Sequence, residues 1–439
     1  MVTIAPSRVA TPPEVAAPGH GRPTPRLRAL DGLRFVAAAG VLLYHFTARW
    51  STAWGEAPGD RFPVVGQVTT YFALAPELFF VVSGFVILWT AWGRTVPAVI
   101  ASRLARIFPA YWAALALTSF LLLVLWRDGK QISLGEVLVN ITLLQEPLGV
   151  RHVDGVYWTL WTELRFYALI VLLVAIGLTR RRVLLFAGLW PAVAVLADLA
   201  GWGVASTILI SQYAPMFAGG MLLYLIYRDG HARVPWLLLA GNVMLGLFTI
   251  IPAQMRTLTR NTAFEPSPVL LGVVVVACFG AVAVLTLTRL RSIDWPVLTA
   301  LGALTYPLYL VHEFWGWWVI HLVQAHVPTP VALAAAGAAS LGLAWVVHHG
   351  VEKRLNPPMR RWIERRLGGR VDSRAVASRA VASPAVASPL VAGPPAANRP
   401  STSRPSTSRS PVSRPPSGRT PVSRPAAGRP ADPVAATRR

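Results

Sequence analysis

Apolar residues fill this chain in blocks of about twenty, with short polar stretches between them. A helix rises about 1.5 Å per residue, so about 20 apolar residues cross a hydrocarbon layer. Ten blocks are long enough, or nearly so: 33–50, 69–92, 109–126, 158–178, 183–200, 207–227, 235–252, 268–288, 297–323 and 329–350. The stretch from Leu134 to Leu144 is apolar but short, and reads as interfacial or re-entrant. The pattern predicts an all-α, polytopic membrane bundle of about ten transmembrane helices. Residues 1–26 hold many Pro and Ala and no periodicity, and read as a flexible N-terminal arm.

Composition narrows the class further. Of 439 residues, 54% are hydrophobic and only 14% charged. Soluble proteins carry about 25% charged residues, so this chain has too few to coat a wetted surface. That excludes a soluble enzyme, a disulfide-stapled module and a largely disordered protein. The one cysteine, Cys278, sits in an apolar run and reads as an inert buried thiol. No cleavable leader is recognisable before the first apolar block, which reads as a retained span.

The formal charge of +22 follows topology rather than nucleic acid. With the N-terminus placed in the cytoplasm, the outside loops hold only Arg49, Arg61, Arg127, Lys130, Arg151, Arg256 and Arg260. Nineteen basic residues between Arg22 and Arg366 fall on the inside segments. That bias predicts a multi-pass cell-membrane protein with both termini cytoplasmic. From about residue 369 the chain turns to Arg, Ser, Pro and Ala, with Arg recurring every five residues from Arg399 to Arg429. The period fits no helix or strand, and the segment reads as a disordered cytoplasmic tail. Its charge also suits contact with anionic lipid headgroups.

Ionisable groups inside spans are costly and point to function. Arg34 and His45 are eleven residues apart, about 20° from alignment, so they share one face of the first helix. Their axial separation is about 16.5 Å. One helix therefore carries a cation near one surface and an imidazole deep in the membrane. Arg103 and Arg106, three apart, present two guanidiniums to one side, a geometry suited to phosphate. Glu77 and Glu163 serve either structural ion pairing or catalytic electrostatics. Ser83 and Gly84 read first as small-residue helix packing. His312 precedes Glu313, but position 316 is Gly, so no zinc HExxH motif is formed and no metal site is expected.

Five segments in order resemble the acyltransferase 3 family of integral-membrane acyltransferases. They are LDGLRFVAAAGVLLYHF (30–46), ELFFVVSGFVI (77–87), RLARIFPAYW (103–112), YWTLWTELRFY (157–167) and TYPLYLVHEF (305–314). Arg34 and His45 match the family's basic residue and histidine separated by ten residues. Phe79, Phe80, Ser83, Gly84 and Phe85 match its Phe-Phe-x-x-Ser-Gly-Phe element. Arg103 and Arg106 match Arg-x-x-Arg, and Trp158, Leu160, Glu163, Phe166 and Tyr167 match Trp-Ser-Leu-x-x-Glu-x-x-Phe-Tyr. Thr159 replaces Ser and Phe35 stands where Gly is usual; neither change removes an ionisable group. The resemblance marks residues 27–368 as the membrane domain.

The resemblance implies acyl transfer from cytoplasmic acyl-CoA to a hydroxyl of a cell-surface glycan, a lipid-linked sugar or a glycosylated natural product. Acyl-CoA would be a donor substrate, with no permanently bound cofactor. On this reading Arg34, Arg103 and Arg106 hold the donor phosphates, and His45 is the general base. Glu163 would orient its imidazole, with His312 as a second base or a packing residue beside Tyr309. Relay through an acyl-histidine is a variant of this mechanism. The alternatives are a secondary transporter or lipid-linked glycan translocase, and a non-catalytic scaffold acting through its basic tail.

Overall fold

The computed structural model describes residues 27–381, and their side chains as far as 368. The arm at 1–26 and the tail beyond 381 lie outside the described residues. The described chain is helical. Helix α1 spans Arg28–Thr47, and short helices α2 (Pro58–Arg61) and α3 (Val65–Thr69) lead to α4, Ala75–Ala91. Helix α5 spans Val96–Phe120, α6 is the short Leu134–Ile141, and α7 and α8 span Trp158–Ala175 and Arg180–Leu199. A short α9 (Gly203–Ile208) precedes α10 (Ala214–Asp229), α11 (Arg233–Asn261) and α12 (Pro268–Leu287). The last three are α13 (Pro296–Val323), α14 (Thr329–Val347) and α15 (Lys353–Val381). Helix α15 thus takes in the first residues of the region read as tail.

Eight of the described helical segments are long and apolar enough to cross a bilayer. The other two expected blocks take different forms. Block 207–227 is interrupted: α9 ends at Ile208, and Ile210 adopts φ 60, a left-handed conformation that halts a helix. That leaves α10 with 16 residues, too short by this measure. Block 297–323 becomes α13, whose 28 residues include the buried polar pair His312 and Glu313. Helix α5 begins at Val96, well ahead of the expected 109, and carries Pro109 in its interior. The Leu134–Leu144 stretch forms the short α6. Its N-terminus is closed by a reciprocal capping box between Ser133 and Glu136.

Helix α10 is the hub. Every residue from Ala214 to Ile226 is buried, and it packs against α4, α8, α11 and α12. Helices α4 and α10 meet with backbones almost touching. A Cβ on Gly84 would lie 2.0 Å from the Phe217 carbonyl oxygen, and one on Gly220 would lie 2.0 Å from that of Val81. Only glycine permits this approach, the small-residue packing expected where the hydrophobic effect does not drive helices together. Helix α13 lies between α1 and α14. The pairing of α1 with α13 brings His45 to His312 and Glu313.

Candidate active site

The end of α1 builds the site. The last carbonyls of a helix lack intrahelical partners. Here two indoles supply them: Trp317 Nε1 of α13 donates to the His45 carbonyl at 2.8 Å, and Trp54 Nε1 donates to that of Phe46 at 2.8 Å. Thr47 Oγ1 lies 2.7 Å from Thr69 Oγ1. A backbone bond from Trp50 to the Asn261 carbonyl at 2.8 Å ties the following residues to the end of α11.

His45 is buried and faces two residues of α13. Nδ1 of His312 lies 2.9 Å from the Tyr309 carbonyl and 3.2 Å from that of Leu308. Carbonyl oxygens only accept, so His312 carries its proton on Nδ1 and offers a lone pair at Nε2. That Nε2 lies 3.1 Å from His45 Nδ1, which is also 2.8 Å from the Val41 carbonyl. Set between two acceptors, His45 Nδ1 must be a donor. In the neutral ring the remaining lone pair then sits on Nε2, 3.7 Å from Glu313 Oε2. The two imidazoles meet edge to face, with centroids 4.9 Å apart.

Glu313 is buried and held by charge from a second direction. Arg49 Nε lies 3.5 Å from its Oε1. Asp154, wholly buried in the loop ahead of α7, is in hydrogen-bonding contact with the same carboxylate. Burial, and then the Glu313 charge, push the Asp154 carboxyl well above its usual range, which favours the protonated acid. Glu313 Oε2 and Asp154 Oδ2 otherwise lack a donor, and a proton carried on Asp154 answers that need. Gly155 leaves room for this pair, since a Cβ there would lie 2.9 Å from Glu313 Oε2.

Three cavities adjoin this cluster. The central one, about 300 Å³, is lined by His45, Arg49, Tyr309, Gln254 and Glu313. A second, about 60 Å³, is lined by Arg34, Phe79, Ser83 and Glu163 and shares Pro76 and Tyr309 with the first. A third, about 320 Å³, includes Lys130, Trp50 and Trp126 and shares Arg49, Gly155 and Glu313 with the first. Arg34 and His45 therefore face adjoining cavities along one side of α1.

The residues singled out from the sequence divide between these spaces. Glu163 does not meet His45. It accepts from Ser83 Oγ at 3.1 Å and Tyr167 Oη at 2.6 Å, on the Arg34 side. The carboxylate placed against His45 is Glu313. The expected Glu163–imidazole pairing is not formed: α7 sets Glu163 about one and a half turns past Trp158, which lines the central cavity, and Glu163 lines the Arg34 cavity instead. Arg103 donates to Thr90 Oγ1 at 2.8 Å and covers the Tyr167 ring. Arg106 lies 3.9 Å from Glu352 and covers the Tyr306 ring. Arg106 thus stands one side chain behind the Arg34 cavity, through Tyr306, and Arg103 two behind it, through Tyr167 and Glu163. Glu77 accepts from Gln254 Nε2 at 2.6 Å and does not line the central cavity.

His312 reaches both His45 and Tyr309, whose ring centroid is 5.9 Å away. Among the described residues, no group of three or more His, Cys, Asp or Glu is placed to hold a metal ion. Arg49, Lys130 and Asp154 were not assigned to the site by sequence reasoning, and Glu313 stood only among the intramembrane ionisable groups, without a role. For Glu313 a signal existed: it is the sole acid in the 28 residues of α13.

A bundle of apolar helices enclosing buried ionisable groups defines a multi-pass membrane protein. A model of the acyltransferase domain matches residues 27–349, so the chain belongs to the acyltransferase 3 family. No curated protein and no solved structure matches the chain.

Proposed function

We propose that this acyltransferase moves an acyl group from acyl-CoA to a hydroxyl of a sugar-containing acceptor, with His45 as general base. The observation that carries the reading is the His312–His45 pair. Carbonyl contacts favour one tautomer of each ring, so the lone pair of neutral His45 sits on Nε2, and His45 lines the central cavity. A base must lie within reach of the proton it removes and hold a free lone pair. In the proposed step the acceptor oxygen attacks the thioester carbon while His45 Nε2 takes its proton. The carbon–sulfur bond then breaks, and the proton passes from Nε2 to the departing thiolate. The products are an ester and free coenzyme A thiol. Glu313 would stabilise the imidazolium formed between the two proton transfers, as a carboxylate does beside a catalytic histidine.

On this reading the donor approaches from the Arg34 side, its phosphates held by Arg34 with Arg103 and Arg106 behind. The cavity there holds only about 60 Å³, so the thioester arm enters as the Phe79 and Tyr309 rings, 5.8 Å apart, separate. The positive-inside bias supports cytoplasmic termini and a cytoplasmic donor, and the cell membrane is the proposed location. The test is transfer of radiolabel from acetyl-CoA by membranes carrying His45→Ala. Transfer should be lost while the protein accumulates normally; near-normal turnover would refute the mechanism.

A further inference from the structure

The third cavity carries more positive charge than the catalytic step requires. Arg49 is matched to Glu313 at 3.5 Å. Lys130 has no such match: its Nζ lies 2.7 Å from the His152 carbonyl and 3.4 Å from that of Val153, and it forms no ion pair among the described residues. Its nearest acids are Asp154 and Glu313. Asp154 favours its protonated form, and Glu313 already faces Arg49. One ammonium is therefore partly buried with only carbonyls in contact and no carboxylate within ion-pair distance, and burial pulls it below its usual range against the more distant Asp154 and Glu313. Such a group is stabilised when an anion arrives.

The walls add a second feature. Trp50, Trp126 and Trp317 line the same space, and Trp50 is 46% exposed. Flat apolar faces beside a few polar groups are the make-up of a small-molecule site. The cavity shares Arg49, Gly155 and Glu313 with the one that holds His45. A group seated there would leave its neighbouring hydroxyl directed at the base.

We propose that this outer cavity is the acceptor subsite and that it selects acceptors bearing a carboxylate or phosphate, bound chiefly by Lys130, with Trp50 as the wall for the adjoining sugar ring. The inference rests on the acyl-transfer reading only in naming the ligand an acceptor.

The test uses the full chain in lipid nanodiscs, without donor, and reads the change in Trp fluorescence. The probes are methyl glucoside, methyl glucuronide and glucose 1-phosphate. One or both anionic sugars should half-saturate at a concentration about tenfold below the neutral one, the scale of one charge-assisted hydrogen bond. Whichever anion binds identifies the source of the charge. Lys130→Gln should reduce that preference to about twofold or less, while Lys130→Arg keeps it. Thr52→Asp, an exposed substitution on the same cavity, should also reduce it by repulsion. Equal binding of all three sugars, no binding of either anionic sugar, or a preference that survives both Lys130→Gln and Thr52→Asp would overturn the proposal. Label transfer from acetyl-CoA is measured separately. Anion preference without transfer would overturn the acyl-transfer reading alone, and transfer without anion preference would overturn this inference alone.

Discussion

The two ends of α1 treat charge in opposite ways. Among the described residues, the polar groups neighbouring Arg34, though not its guanidinium, are answered: Glu163 accepts from Ser83 and Tyr167, Arg103 donates to Thr90, and Arg106 faces Glu352. Around His45 they are crowded and incompletely answered. Two imidazoles, two carboxyls, a guanidinium and an ammonium share one region, and oxygens of Glu313 and Asp154 lack ordinary donors. Satisfied groups hold a shape. Unsatisfied ones in a dry site keep free energy available for a bound reactant. The contrast points to recognition at the first end and bond-making at the second.

The strongest way to break this contrast is to remove the proposed base. His45→Ala should lower turnover by about 10²–10⁴-fold, the usual contribution of a general base, with donor KM little changed. A parallel rise in KM would erase the distinction between the ends. Next is His312→Phe, which removes one of the two acceptors of His45 Nδ1 and leaves the Val41 carbonyl. Losing one net hydrogen bond of about 0.5–1.5 kcal/mol should lower kcat by roughly 2–10-fold. His312→Asn, which keeps an acceptor oxygen, should recover part of the loss; equal activity of the two variants would reduce His312 to packing.

At the other end, Arg34→Gln should raise donor KM by about tenfold while kcat holds, as expected for one lost charge-assisted phosphate contact. A fall in kcat alone would place Arg34 in the chemistry instead.

Two smaller effects concern the loop over the site. Asp154 has a raised carboxyl pKa, so its contribution to stability is full below its unfolded value of 3.8 and is lost as pH rises through the folded one. Asp154→Asn, a permanently neutral donor, should flatten that decline in thermal unfolding curves taken from acid to neutral pH. An unchanged pH profile would mean that the acid is not protonated there.

Glu136 behaves in the opposite sense. Its bond to Arg151 at 2.7 Å lowers its carboxyl, so the stabilisation is present above the unfolded value of 4.5 and is lost as pH falls through the folded one. Glu136→Gln keeps the capping box and should cost no more than the lower part of the ~0.2–1 kcal/mol range at neutral pH, because Arg151 is exposed. The difference should vanish in acid; a loss that persists there would assign it to the cap.

Much of the first end was legible because its logic is local. Eleven residues between Arg34 and His45 define one helical face whatever else the chain does. The broken block at 207–227 was not legible, since the break depends on one residue, Ile210, forced into a left-handed conformation. The apolar block starts at 109, with Arg103 and Arg106 ahead of it. In the structure the helix runs through them, each guanidinium covering a tyrosine ring. The exchange of Glu163 for Glu313 is the most instructive case. Both are single acids in apolar helices, and sequence spacing cannot say which helix will lie against α1. The contact of α1 with α13 decides it. Arg49 and Lys130 read as loop charges governed by topology, because the contacts of Arg49 and Asp154 with Glu313, and the cavity that Lys130 shares with them, exist only after the loops fold back.

Terminal turns of helices ordinarily fray, and a base mounted on one would wander over distances that matter for proton transfer. The indoles of Trp54 and Trp317 remove that freedom by pinning two consecutive carbonyls. His45 is thereby clamped at a stop, like a tool in a vice, and the substrates must supply the movement.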